Sequence, residues 1–259
     1  MIKFSSDESV TKSTGIKNIN KEKDCNLKLP HIAIGVFSYI LFNNIIENYE
    51  SIKLGYMNCA NFEKGIYKVK YKDTYFTLFL AGVSAPHIAG DIEELSFHGV
   101  DTFIIFGNCG VLDKNIEDCS IIIPNMAYRE EGTSYHYMKD SETIELNKEF
   151  KSLFKNILKS NRFLYNEGAT WTTDAFYRET REKVNYYKNK GVICVEMEGS
   201  AIGAVCDYKK LHYFTFYYAG DNLDSITWDE RSLKQEANFE NKVLVPKLAF
   251  ELAHEIDKM

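Results

Sequence analysis

From His31 onward the chain repeats one pattern of polarity: a short apolar run, a glycine or polar corner, then an amphipathic stretch. Runs that are continuously apolar or alternate with a period of two predict strands at His31–Ile34, Gly65–Tyr71, Tyr75–Ala81, Thr102–Phe106, Ser120–Ile123, Val192–Val195 and Tyr213–Tyr218. Helical spacing predicts helices at Pro86–His98, Asn147–Ser160, Thr180–Lys190, Gly199–Tyr208 and Glu230–Lys258. The span Tyr67–Leu80, with Lys72-Asp73-Thr74 at its middle, predicts a hairpin. Strands alternating with helices imply an α/β fold: a mixed, mostly parallel central sheet covered on both faces, with the hairpin inserted. Residues 1–28 are polar and weakly periodic, and are expected to form an N-terminal extension, either a tail or a short helix against the body. No repeat or low-complexity linker divides residues 29–259, which are expected to form a single domain.

Composition narrows the partners. A formal charge of −6 argues against a nucleic-acid surface, and no apolar run reaches the length of a membrane span. The first residues carry no apolar core of signal-peptide length, so a cytoplasmic location is expected. Six cysteines (Cys25, Cys59, Cys109, Cys119, Cys194, Cys206) show neither a CxxC pair nor metal-ligand spacing. They read as free thiols in a reducing compartment, and no metal is expected. Arginine is scarce (Arg129, Arg162, Arg178, Arg181, Arg231), so forked anion donors are few. A dinucleotide-binding enzyme is disfavoured because no GxGxxG follows an early strand.

The most informative segment is Val192–Ala201, VICVEMEGSA, an apolar strand that delivers Glu196 and Glu198 and then opens a helix of small residues. Two apart on a strand, the glutamates share a face, where a carboxylate can accept both hydroxyls of a sugar diol. The alternative is a pair of solvated acids at a strand end. Sites in such sheets form at the strand C-termini. In order, those ends are Gly35, Gly82–Pro86, Gly107-Asn108-Cys109-Gly110, Arg129–Tyr137 (REEGTSYHY), Thr172–Arg178, Glu196–Glu198 and Ala219–Asn222.

This ordered set resembles the nucleoside phosphorylase family of the purine nucleoside and uridine phosphorylase type, over most of the chain from Ile32 on. The motifs that carry the resemblance are VEMEGSA at 195–201, GNCG at 107–110, EGTSYHY at 131–137 and YYAGD at 217–221. The resemblance implies a three-layer α/β/α sandwich, a homo-oligomer (trimer or hexamer), and phosphorolysis of a nucleoside to free base and (deoxy)ribose 1-phosphate. No cofactor is implied, only inorganic phosphate as co-substrate. It implies that Met197 and Glu198 hold the ribose, with Glu196 beside them, and that Asp221 protonates a purine base as it leaves. That chemistry suits these residue types, because cleavage builds positive charge on the sugar and negative charge on the base. Phe176, Tyr177 and Phe214 are candidate aromatic walls, or core residues, and Arg178 a base or anion contact. His136 is a candidate for a 5′-hydroxyl, in its own or a neighbouring subunit's site, or a structural histidine.

The chain departs from the family where phosphate binds. Tyr39 and Ile105 stand where arginines are usual, and Asn108 where a serine or threonine is usual. The remaining anion candidates are Gly35, Ser84, Gly107, Asn108 and Arg129. A nucleosidase is therefore the first alternative, although the family's hydrolytic branch carries glutamates after the first glycine corner and Val36–Tyr39 has none. Glu130, Glu131 or Glu196 would then supply the base. A nucleoside-binding protein with little turnover is the second alternative. Base preference leans to purine through Asp221. The EGTSYHY segment looks more like the uridine phosphorylase branch, which reads uracil with a Gln and an Arg shortly after the Phe-Tyr pair; here Thr180, Arg181 and Glu182 occupy that neighbourhood.

Overall fold

A computed structural model describes residues 4–13, 15–58, 62–234 and 237–259, so Cys59 lies outside the described residues. The elements run β1 (Lys17–Asn18), β2 (Ile32–Val36), α1 (Tyr39–Asn48), β3 (Ser51–Asn58), β4 (Glu63–Tyr71), β5 (Thr74–Leu80), α2 (Ala85–Phe97), β6 (Thr102–Val111) and β7 (Ile121–Glu130). They continue with α3 (Ser134–Tyr137), β8 (Thr143–Glu145), α4 (Lys151–Ser160), β9 (Tyr165–Thr173), a 3₁₀ turn (Phe176–Arg178), α5 (Arg181–Asn189) and β10 (Val192–Glu196). The last are α6 (Gly199–Lys209), β11 (His212–Asn222), α7 (Phe239–Lys242) and α8 (Val245–Asp257).

Side chains of each central strand divide between two apolar layers. On β2, Ile32, Ile34 and Val36 pack with Leu41 and Ile45 of α1, Phe154 of α4 and Phe250 of α8. Ala33, between them, packs with Ile88 and Ile92 of α2 and Ile202 of α6. On β6, Ile104 and Phe106 join the first layer while Phe103 and Ile105 join the second. A strand that alternates between two helical layers is the middle of a three-layer α/β/α sandwich, as the polarity pattern implied.

The sheet is mixed, in the order β1-β3-β4-β5-β2-β6-β10-β9-β7-β11, with β8 attached to β7. The pairs β5–β2, β2–β6 and β6–β11 are parallel. The expected hairpin is β4–β5, turning at Lys72, whose φ of 55° is left-handed. Because β6 also pairs with β11, strands β6, β10, β9, β7 and β11 close into a ring. Antiparallel pairings β6–β10 and β7–β11 complete that closure.

Several elements differ from the sequence expectation for local reasons. Helix α1 is short and rich in Asn, Ile and Tyr, weak helix formers, and is held instead by the Ser38 hydroxyl accepting from the Leu41 N–H. Strand β9 is polar in sequence, yet Thr170, Trp171, Thr172 and Thr173 are buried, and the hydroxyls of Thr170 and Thr172 donate to β10. The helix expected from Asn147 starts at Lys151 because Asn147 and Phe150 hold left-handed φ values. The helix expected over Glu230–Lys258 is two helices, α8 restarting with Pro246 in its first turn. Near the N-terminus, β1 pairs with β3 and the Ile16 N–H donates to His98 Nε2 at 2.9 Å, so this segment docks as a strand and not a helix. No helix among the described residues is long and apolar enough to cross a membrane.

Candidate active site

The C-terminal ends of β6, β10 and β11 open into a cavity of about 640 Å³. Strand β10 ends at Glu196, and the chain turns through Met197 and Glu198 into α6. Glu196 stabilises this turn. Its carboxylate accepts from the hydroxyls of Thr170 (3.1 Å) and Thr172 (2.6 Å) and from the N–H groups of Glu198 (2.7 Å) and Gly199. Thr172 in turn accepts the Ser200 N–H, and the Ser200 hydroxyl donates to Glu131. Glu131, from the REEGTSYHY segment, is buried and also accepts from the N–H groups of Thr133 and Ser134. That segment therefore braces the helix start from behind.

Glu198 faces the cavity. Its Oε1 accepts the Ser84 N–H at 2.6 Å and its Oε2 the Met197 N–H at 3.2 Å. Burial, and then the charge of Glu196, push its pKa up to about 8. A bound diol would add two donors to this carboxylate and favour its ionised form.

Asp221 reaches the same cavity through a bulge. Ala219 and Asn222 of β11 lie opposite Cys109 and Val111 of β6, so the bulged strand holds one extra residue there. Gly110 allows the close approach, since a Cβ on it would come within 3.2 Å of Asp221 Oδ1. Burial raises the Asp221 pKa, while the indole N–H of Trp228, donating to Oδ2 at 2.7 Å, opposes the rise. Glu179 lines the cavity too, its pKa pushed up to about 8 by burial and by the charge of Asp221. The cavity thus gathers three carboxyls, Glu198, Glu179 and Asp221, each with its pKa raised by burial.

Of the residues singled out from sequence, Asn108, Phe176, Tyr177, Glu196, Met197, Glu198 and Asp221 line this cavity. Ser84 reaches it only through its N–H on Glu198, from a backbone with φ of 96°. The others lie elsewhere. Behind Gly35 stands the Phe79 ring, and against Gly107 the ring of Phe37, which itself lines the cavity. The Arg129 guanidinium is buried, donating to the Ser134 and Ser141 hydroxyls and to the Lys139 carbonyl, over the Tyr135 ring. His136 and Arg178 are exposed and outside the cavity lining. Phe214 is a core residue, 4.8 Å from the Phe154 ring. At the two positions where arginine was expected, Tyr39 is exposed and Ile105 fully buried.

Sequence reasoning missed Glu179, Trp228 and Phe37, and placed Arg181 only in the neighbourhood of base-reading residues. The signal for Trp228 was an indole in a mostly polar loop after a strand that delivers a carboxylate, where a large apolar ring needs a reason. For Glu179 it was a carboxylate directly after the Phe-Tyr pair. Among the described residues Arg181 is the one cation lining the cavity, and its guanidinium donates to the Leu223 and Ser225 carbonyls at 2.6 and 2.8 Å. Among the described residues no cluster of three or more His, Cys, Asp or Glu side chains could hold a metal ion.

Residues 42–246 match the sequence model of the phosphorylase superfamily. A guanosine phosphorylase of Halorubrum lacusprofundi is 30% identical over 153 residues, covering 58% of this chain and 63% of that protein. The chain spans about three fifths of the length of the first two relatives it matches (63% and 60%). Among solved structures, a purine nucleoside phosphorylase of Toxoplasma gondii, in complex with immucillin-H, superposes with a TM-score of 0.77 at 17% identity, covering 96% of this chain and 99% of that one. A uridine phosphorylase of Vibrio fischeri gives 0.78 at 22% identity with the same coverages of 96% and 99%. At such identities the likeness is one of fold.

Proposed function

The chain belongs to the phosphorylase superfamily, and on that premise we propose that it cleaves the N-glycosidic bond of a purine nucleoside by phosphorolysis, giving free base and (deoxy)ribose 1-phosphate. The carrying observation is that one cavity holds both Glu198, a carboxyl braced by backbone N–H groups, and Asp221, a carboxyl whose pKa burial raises. The relatives named guanosine and purine nucleoside phosphorylase support the purine reading. A relative named uridine phosphorylase stands on the other side.

In this mechanism Glu198 accepts the 2′- and 3′-hydroxyls with Met197 against the sugar, fixing the ring as its anomeric carbon gains positive charge. Phosphate attacks that carbon while the C–N bond breaks, and the bonding electron pair goes to the base. Asp221 donates its proton to the base as the pair arrives. Glu179, beside Asp221, suits the ring N–H of a 6-oxopurine. Phe176 and Tyr177 form the aromatic rim of the base pocket. Asn108 and the backbone of Cys109 and Gly110, which line the cavity, are the phosphate donors of this reading. A homo-oligomer and a cytoplasmic location belong to it as well.

Hydrolysis is the second reading. It is favoured by Phe37 against Gly107, by Ile105 in the core, and by Arg181 being engaged with two carbonyls, so among the described residues no lining cation is open to an anion. The deciding experiment is release of base from inosine, guanosine, adenosine and uridine, with and without phosphate. Phosphate-dependent release with ribose 1-phosphate supports phosphorolysis, and free ribose without phosphate supports hydrolysis. Binding without release under both conditions would leave a nucleoside-binding protein.

A further inference from the structure

We propose that Trp228 is the positioning residue of the acid: its indole N–H holds Asp221 Oδ2, confines the transferable proton to Oδ1, and sets the strength of the acid. This rests on the reading of Asp221 as the proton donor. An indole has one N–H and no acceptor, so it can only donate, and Oδ2 accepts it at 2.7 Å. The other oxygen, Oδ1, is the one facing Gly110, and Gly110 lines the cavity with Trp228 and Asp221.

The loop is built to hold the indole there, although Trp228 is 57% exposed. Asn222 and Asp229 form an antiparallel bridge that closes the loop on both sides of Trp228. Arg181 grips the Leu223 and Ser225 carbonyls from α5, and Lys188 of the same helix pairs with Asp224. Apolar burial does not account for a tryptophan fixed at the mouth of a cavity, whereas a single directed N–H does.

Other groups act on Asp221 from each side. Glu179, ahead of α5, interacts unfavourably with its charge, as do Asp229 on the loop and the Cys109 thiol on β6. Arg231 on the loop favours the carboxylate. When the proton leaves Oδ1 for the departing base, the carboxylate that remains is stabilised by the indole N–H. Without that donor Asp221 is a weaker acid that stays protonated to higher pH.

The test compares wild type, Trp228→Phe and Asp221→Asn on inosine and on 7-methylinosine, whose methylated, positively charged base needs no proton at N7. For Trp228→Phe the plateau kcat on inosine is expected to fall about tenfold relative to 7-methylinosine, the effect of one hydrogen bond to a charged group. The alkaline limb of its pH profile is expected to move to higher pH. An equal loss on both substrates, or a lower plateau with an unmoved limb, would show the indole to be mere packing and overturn the proposal. Asp221→Asn separates the two levels. If it spares inosine turnover, the acid assignment fails and takes the proposal with it; if it cripples inosine alone while Trp228→Phe does nothing, only the role of Trp228 fails. Thermal unfolding of each variant checks that the fold is kept.

Discussion

Ser84 and Glu198 are joined by a 2.6 Å hydrogen bond from backbone N–H to carboxylate, across 114 residues of sequence. The bond links the corner before α2 to the corner before α6, and so connects the two halves of the sheet at the candidate ribose site. Ser84 contributes only its backbone and holds a φ of 96° to do so, in a region L-residues rarely occupy.

Ser84→Gly should therefore relieve strain without removing the donor. The expected outcome is a gain of ~1 kcal/mol in denaturant unfolding with turnover retained. Ser84→Val should lose stability. A glycine variant that is less stable than wild type would contradict the strain.

Glu198→Ala removes the acceptor for the sugar. Turnover is expected to drop by roughly 100- to 1,000-fold in kcat/KM, with the folded state intact by circular dichroism. Near-normal kcat/KM would reject the ribose assignment.

The same carboxyl makes binding depend on pH. With a free-state pKa of about 8, Glu198 is protonated below that value, and a diol that needs the carboxylate must displace the proton. Nucleoside affinity should thus rise with pH on the acid side of 8, and Glu198→Gln should flatten that rise. Calorimetric titration at pH 6 and pH 7.5 reads both the affinity and the protons released.

A buried ion pair supports the Gly82–Ser84 corner. Lys64 reaches Asp91 at 2.5 and 2.6 Å with both side chains almost fully buried, and Asp91 also accepts the Gly82 N–H at 2.8 Å. Asp91→Ala leaves a buried ammonium unpaired and should cost about 3–5 kcal/mol, read by urea denaturation. Lys64→Met/Asp91→Leu, which removes both charges, should recover part of the loss.

Much of the candidate site was legible because strand ends announce it. The apolar run before Glu196 and the one before Asp221 both mark β-strands, and chemistry-bearing residues directly after such runs face the crevice above the sheet. Arg129 was misleading for a physical reason: from sequence, a buried arginine bonded to hydroxyls and carbonyls looks the same as one waiting for an anion. Phe37 and Trp228 were hidden because aromatic side chains give no sign of whether they face core or cavity. Glu196 was read with Glu198 as one pair, yet the threonines of β9 that separate their roles come from a strand too polar to be recognised.

The closed ring of strands has a consequence for how the protein is made. Residues on β6 and β11 pair across more than a hundred positions, as at Thr102 and His212, a long-range contact whose loop-closure entropy makes it slow to form. Glu198 and Asp221 come together only when that ring closes. A nascent or partly opened chain would then have no binding site, so nucleoside would bind the closed form alone and act as a thermodynamic brake on its opening.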